Sequence, residues 1–140
     1  MTESAWLLLC DPSPALRCRV LRELLDVPPD DPELVDLLAR RHHDREALAL
    51  LESEPGGLQE LSHLLCRLGR LGLDRHHPRV AELVERVFAH RREDGSFPLT
   101  EFRTDDRYTM IPLQVALPLR GLGSVGAATD SRAAKSYAWL

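Results

Sequence analysis

The chain has 140 residues, of which 44% are hydrophobic and 29% are charged, and its formal net charge is -4. This acidic balance argues against a general nucleic-acid binder, and no apolar run reaches the length of about 18 residues that a membrane span needs. Cys10, Cys18 and Cys66 are too scattered for a disulfide framework, which favours a reducing compartment. Taken with the charge and the short apolar runs, this predicts a cytoplasmic chain with no nucleic-acid partner and no membrane span.

The first third of the sequence predicts short helices separated by proline-rich turns. Asp11 or Ser13 can cap a helix that starts at Pro14, and a proline suits the first turn because it lacks an N–H. Apolar residues then recur at helical spacing until residues 27–30. A second helix is predicted from residue 31, a break at 42–44 and a short helix over 47–51. The scarcity of aromatic and β-branched residues argues against a sheet.

The rest of the sequence predicts longer helices. Leucines at helical spacing mark one over residues 58–71, and a second follows Pro78 with cationic residues in its last turn. We expect a loop over residues 93–98, then a helix from near Asp105 or Tyr108 to Leu122. Because that stretch contains two prolines, we expect a late start, a kink, or both. A flexible link over 121–126 and a last helix over 131–140 complete an all-α prediction.

A short internal repeat organises the second half of the chain. Residues 79–87 align with residues 132–140, and each copy follows a Leu-Gly turn, at Leu71-Gly72 and at Leu122-Gly123. Repeats of this kind are antiparallel helix pairs that bury their faces by stacking. We therefore predict one helical-repeat domain over 1–140 that is cut within its last repeat, with self-association or a protein partner covering the open end.

Asp94, Gly95, Ser96 and Phe97, after a helix that ends in Arg91, resemble the QW repeat of terpene cyclases and protein prenyltransferases. Arg91 stands in the Gln position of that motif and Phe97 in its Trp position. Residues 55–58 are similar to a more degenerate copy, and residues 105–108 resemble the Asp-x-Arg-aromatic segment of prenyltransferase β subunits. The resemblance covers about residues 45–140. It implies an arc of an α/α toroid, in which alternating inner and outer helices surround an apolar pocket for an isoprenoid ligand.

The resemblance also supplies the candidate site residues. Asp105 and Asp106 would be the catalytic acid or metal-diphosphate groups, and Arg107 and Tyr108 would contact the ligand. A structural interpretation of the same residues is that one carboxylate caps a helix while the other is stabilised by the helix dipole. The Asp-x-Asp-Asp motif of the cyclases and the zinc ligands of the prenyltransferases are missing from this sequence, so catalysis stays an open question.

A metal site or a dinucleotide site is not predicted. His63 and Cys66 lie on one helical face, but a structural zinc needs about four convergent ligands. The glycines of residues 121–126 follow a helix, whereas a dinucleotide loop follows a strand. We expect no cofactor. The alternative to the toroid is a HEAT-like α-solenoid that serves as a non-enzymatic protein interaction module, and it is favoured by the Asp-Pro turn at Asp11 followed by Arg17.

Overall fold

The computed structural model describes residues 3–97, 103–104, 107–108 and 111–140. The chain divides into two compact units, Met1–Glu52 and Ser53–Leu140. The regular secondary structure of the described residues is helical apart from two very short paired strands, so the predicted all-α class is confirmed. Within the described ranges, no helix combines the length and the apolar character that a bilayer crossing requires.

Unit 1 consists of short helices joined by tight turns. Its elements are α1 (Glu3–Leu9), α2 (Pro14–Arg19), a π-helical turn (Val20–Leu24), α3 (Pro32–Arg40), a 3-10 turn (Arg41–His43) and α4 (Arg45–Leu51). Its core contains Cys18, Leu21, Leu34 and Leu37, contributed by α2, the π-helical turn and α3. The predicted second helix and the predicted short helix are therefore present as α3 and α4.

Side-chain caps fix where the helices of unit 1 begin. Of the two predicted cap candidates for α2, Ser13 is the cap, since its Oγ accepts a hydrogen bond from the Leu16 backbone N–H at 3.4 Å. Asp31 and Asp44 cap α3 and α4 in the same way. Asp44 also accepts a bond from the Ser13 hydroxyl at 3.2 Å, which joins the caps of α2 and α4. These caps satisfy amide donors that a helix start leaves unpaired.

The helix that begins at Pro14 changes form before it ends. The Leu25 N–H bonds the Val20 carbonyl at 3.1 Å and the Val27 N–H bonds the Leu21 carbonyl at 2.9 Å, so the last turn is wider than an α-helical turn. Asp26 closes it with a φ of 49°, in the left-handed region that aspartate tolerates better than most residues. This wide turn projects the segment after Asp26 towards α3.

Unit 2 contains the longer helices. Its elements are α5 (Leu58–Arg70), α6 (Pro78–Ala89), β1 (Arg103–Thr104), β2 (Arg107–Tyr108), α7 (Ile111–Ser124) and α8 (Ser131–Trp139). β1 and β2 pair antiparallel, with Arg103 opposite Tyr108 and Thr104 opposite Arg107. The leucine stripe of residues 58–71 forms α5 as predicted, and all its leucines except Leu71 are buried.

α7 begins at Ile111 and Tyr108 belongs to β2, so the predicted start near Asp105 or Tyr108 is wrong, whereas the late start expected from the prolines is confirmed. A start near Asp105 or Tyr108 would place Pro112 in a helix interior, where its ring blocks a hydrogen bond. With the observed start, Pro112 falls in the first turn, where a missing N–H costs nothing. Pro118 lies inside α7.

Two helical hairpins, α5–α6 and α7–α8, make up unit 2. α5 packs closely along α7, and glycines permit the approach. A Cβ placed on Gly121 would lie 2.8 Å from the Ser62 carbonyl oxygen, and one placed on Gly69 would lie 2.6 Å from the Ser124 carbonyl carbon. From the contact of Ser62 with Gly121 to the contact of Gly69 with Ser124, the residue number rises along both helices. α5 and α7 therefore run in the same direction. This is the stacking expected of repeated helix pairs, and it does not distinguish a toroid from a solenoid.

The turns after α5 and α7 are equivalent. Gly72 and Gly126 have φ values of 78° and 77°, and each is followed by an N–H that bonds back to a leucine carbonyl, Leu68 or Leu122. The predicted flexible link over 121–126 is wrong in its first part, because α7 continues to Ser124. The repeated signature is Leu-Gly-x-x-Gly, at 68–72 and at 122–126, and its last glycine makes the turn.

Candidate functional site

The structure describes two of the four residues predicted from the resemblance. Asp105 and Asp106 lie outside the described residues. Arg107 and Tyr108 form β2, in backbone pairing with Thr104 and Arg103, and do not begin a helix as predicted. The helix that was expected to present these four residues begins at Ile111.

The loop that resembles a QW repeat is held by its own hydrogen bonds. Asp94 accepts bonds from the Ser96 N–H at 2.9 Å and from the Ser96 hydroxyl at 2.8 Å, and these bonds lower the pKa of Asp94. The Arg92 N–H bonds the Ser96 carbonyl at 2.9 Å. α6 ends at Ala89, so the two cationic residues predicted for its last turn, Arg91 and Arg92, lie after the helix and that prediction is wrong.

This loop packs against α8. Gly95 has a φ of 96°, and a Cβ there would lie 2.6 Å from the Lys135 carbonyl oxygen. Phe97 is fully buried, and the Lys135 ammonium donates to the Glu93 carbonyl at 3.4 Å. The loop therefore connects the first hairpin to the second, and its glycine and aromatic residue serve packing.

Arg132 forms a second connection between the hairpins. Its guanidinium pairs with Glu85 on α6 at 2.7 Å and with Asp130 at 2.8 Å, and it lies 4.0 Å from the centre of the Phe88 ring. The Arg132 side chain and the Arg132 N–H lower the pKa of Asp130 to about 2, and the two carboxylates raise the pKa of Arg132. The cation therefore pairs with two acids and covers an aromatic ring on α6.

The repeat alignment makes α6 and α8 directly comparable. Val80 and its equivalent Ala133 are both fully buried, and Leu83 and its equivalent Ser136 are both fully buried as well. The next pair differs, because Val84 is 4% exposed whereas Tyr137 is 45% exposed.

Tyr137 lies on an exposed stripe of α8 that also includes Ala134 and Ala138. We call these three residues the α8 edge. The sequence predicts an open repeat end but does not single out the residues of the α8 edge. The alignment of residues 79–87 with 132–140 contains a signal for them, because it pairs Val84 with Tyr137.

Among the described side chains, no group of three or more histidine, cysteine, aspartate or glutamate residues is placed to hold a metal ion. His63 is exposed on α5 while Cys66 is buried, so these two do not face a common site.

Comparison of the chain with protein-family models, with curated proteins and with solved structures gives no match.

Proposed function

We propose that the chain is a helical-repeat interaction module. The α8 edge binds a repeat helix that a second copy of the chain supplies. The observation that carries this proposal is the difference between Val84 and Tyr137. α6 buries this position within the stack of hairpins, whereas α8 exposes it. A single repeat cannot bury its faces alone. The face of α8 that is equivalent to the buried face of α6 is apolar and exposed, and this favours it as the surface on which a further helix stacks.

The chemistry of the α8 edge supports a protein partner. Tyrosine offers a large apolar ring with a polar tip and loses little conformational entropy on binding, which makes it one of the residues enriched at binding hot spots. Ala134 and Ala138 flank it with small side chains, and small residues let a second helix approach closely. The α7–α5 contact in this chain uses the same principle, with Gly69 and Gly121 at the point of closest approach.

The test is the solution mass of the chain over a range of concentrations, measured by light scattering. We expect a concentration-dependent dimer for the natural chain and a monomer for Tyr137→Glu, because a buried carboxylate in the contact is strongly disfavoured. Val35→Glu is the matched control, since Val35 is 50% exposed on α3 in the other unit and should leave the mass unchanged. A natural chain that stays monomeric, or a Tyr137→Glu variant that dimerises equally well, would contradict the proposal.

A second candidate is a terpene cyclase- or prenyltransferase-like protein with an isoprenoid ligand. The observation that favours it is the loop of Gly95 and Phe97, which joins two stacked hairpins as a QW-type loop would. On this proposal Asp105 and Asp106 serve as acid or metal-diphosphate groups, and Arg107 and Tyr108 contact the ligand.

The second candidate is tested by binding of geranyl diphosphate with and without Mg²⁺, in the natural chain and in a double Asp105→Asn, Asp106→Asn variant. Binding that requires Mg²⁺ and is lost in the double variant is expected, with helicity retained by circular dichroism. Equal binding by the variant would remove both aspartates from the proposed site.

A further inference from the structure

Unit 1 contains a cleft of about 510 Å³ beside the wide π-helical turn. One wall is apolar, and Val27, Leu34 and Leu38 contribute to it. Leu34 belongs to the core of the unit, and Val27 and Leu38 pack against that core, so this wall is fixed by the packing beneath it. The volume lies in the range of small-molecule sites, which is about 300–1,000 Å³.

Two arginines, Arg22 and Arg41, line the same cleft. Neither forms a salt bridge with any residue that the structure describes, although other described arginines do, including Arg17, Arg19, Arg40, Arg79, Arg86 and Arg132. The Nε of Arg41 is buried and has no hydrogen-bond partner among the described residues. A buried donor without an acceptor is costly, and native proteins normally supply one.

The nearby thiol of Cys18 shows that these positive charges converge. Burial raises the pKa of Cys18, and the charges of Arg41, Arg22 and Arg17 act in the opposite direction. Cys18 lies in the core under the apolar wall, beside Leu34. Arg22 and Arg41 are therefore both close enough to Cys18 for their charges to act on its thiol.

We propose that this cleft binds an amphipathic carboxylate, with its head group on Arg22 and Arg41 and its hydrocarbon chain on Val27, Leu34 and Leu38. Guanidinium groups bind carboxylates through paired, charge-assisted hydrogen bonds. Asp26 also lines the cleft, so the lining carries two positive charges and one negative charge. This balance suits a singly charged head group better than a doubly charged one.

This site lies wholly in unit 1 and is independent of the α8 edge and of the isoprenoid proposal. It can therefore fail or succeed without affecting either. Its ligand class differs from a prenyl diphosphate in the charge of the head group, and the experiment separates the two.

The test is titration calorimetry of the full chain with sodium decanoate at concentrations where decanoate is monomeric. Arg41→Met keeps the aliphatic length of the side chain and removes its donors, and we expect it to weaken binding about 10-fold or more. Arg45→Met is the matched control, because Arg45 is an exposed arginine of the same unit that lines a different cleft, and its affinity should be unchanged. If Arg41→Met does not fold, Arg22→Met replaces it, since Arg22 is exposed.

Three further probes test the two halves of the proposed ligand. Acetate should bind at least about 10-fold more weakly than decanoate because it lacks the chain, and decanol should bind more weakly because it lacks the charge. Decyl phosphate should bind no better than decanoate. The proposal would be overturned if decanol or acetate bound as tightly as decanoate, or if decyl phosphate bound more tightly than decanoate. It would also be overturned if Arg41→Met and Arg22→Met left the affinity for decanoate unchanged.

Discussion

Gly69 and Gly123 occupy equivalent positions in the two Leu-Gly-x-x-Gly segments, yet only one of them lies in a helix contact. A Cβ on Gly69 would lie 2.6 Å from the carbonyl carbon of Ser124 and 2.7 Å from its Cβ, whereas a Cβ on Gly123 meets nothing within 4 Å. Cβ atoms essentially never approach other atoms within 3.0 Å. Alanine at the first position therefore requires α5 and α7 to move apart, and alanine at the second requires no movement.

The expected free energies follow from this geometry. Overpacking at a close contact costs about 1–3 kcal/mol. If α5 and α7 instead move apart by about 0.5–1 Å, the atoms that face each other lose a quarter to a half of their dispersion energy. Alanine gains about 0.5–1 kcal/mol over glycine in a helix. We expect Gly69→Ala to lower the free energy of unfolding of unit 2 by about 1–2 kcal/mol and Gly123→Ala to raise it by up to about 1 kcal/mol.

The assay is urea unfolding followed by tryptophan fluorescence. The chain has two tryptophans, and a Trp6→Phe background leaves Trp139 of α8 as the reporter of unit 2. Thermal midpoints should shift in the same directions, by about 4–8 °C for each kcal/mol in a unit of this size. Equal effects of the two substitutions, or a Gly69→Ala variant as stable as the natural chain, would refute the inferred packing of α5 on α7.

The remaining predictions concern the loop, the acid groups and the thiols. Gly95→Ala should destabilise unit 2 by about 2–4 kcal/mol in the same urea assay, because it combines a left-handed φ with an overlap on the α8 backbone; a smaller loss than for Gly69→Ala would contradict this. The pKa of Asp130 is lowered to about 2 from 3.8, so its stabilisation is present above about pH 4 and is lost as the pH falls towards 2. An acid titration of stability should therefore be flatter for Asp130→Asn, and an identical titration would show that the carboxylate does not contribute. With a thiol reagent at pH 8, exposed Cys10 should react in the native chain, while buried Cys18 and Cys66 should react only after unfolding; prompt reaction of all three would contradict their burial.

The parts of the fold that local chemistry determines were predictable from the sequence. Ser13 and Pro14 begin α2 because a hydroxyl cap and a proline suit a first turn. The leucines of residues 58–71 form α5 because their spacing places them on the buried side of one helix.

Other parts of the fold were not predictable, because residue type and residue spacing alone do not determine them. Tyr108 is in a strand because it pairs with Arg103, a preference that local spacing does not encode. The second turn lies at Gly126 and not at Gly123, although both glycines follow a leucine-rich helix. The cleft lined by Arg22 and Arg41 lies beside a π-helical turn over Val20–Leu24, where the sequence pattern predicts a regular helix.

The composition of α8 bears on whether its exposed edge ends the stack of helices or continues it. A helix that ends such a stack is expected to present polar side chains outward, because terminal repeats must be soluble. On its inward side α8 replaces the larger buried residues of α6 with Ala133 and Ser136, which brings α8 close to its neighbours. On its outward side it replaces a valine with Tyr137 and a glutamate with Ala138, so charge is removed where a capping helix would add it. These substitutions favour continuation of the stack, and this is why the α8 edge is the surface on which the proposed self-association depends.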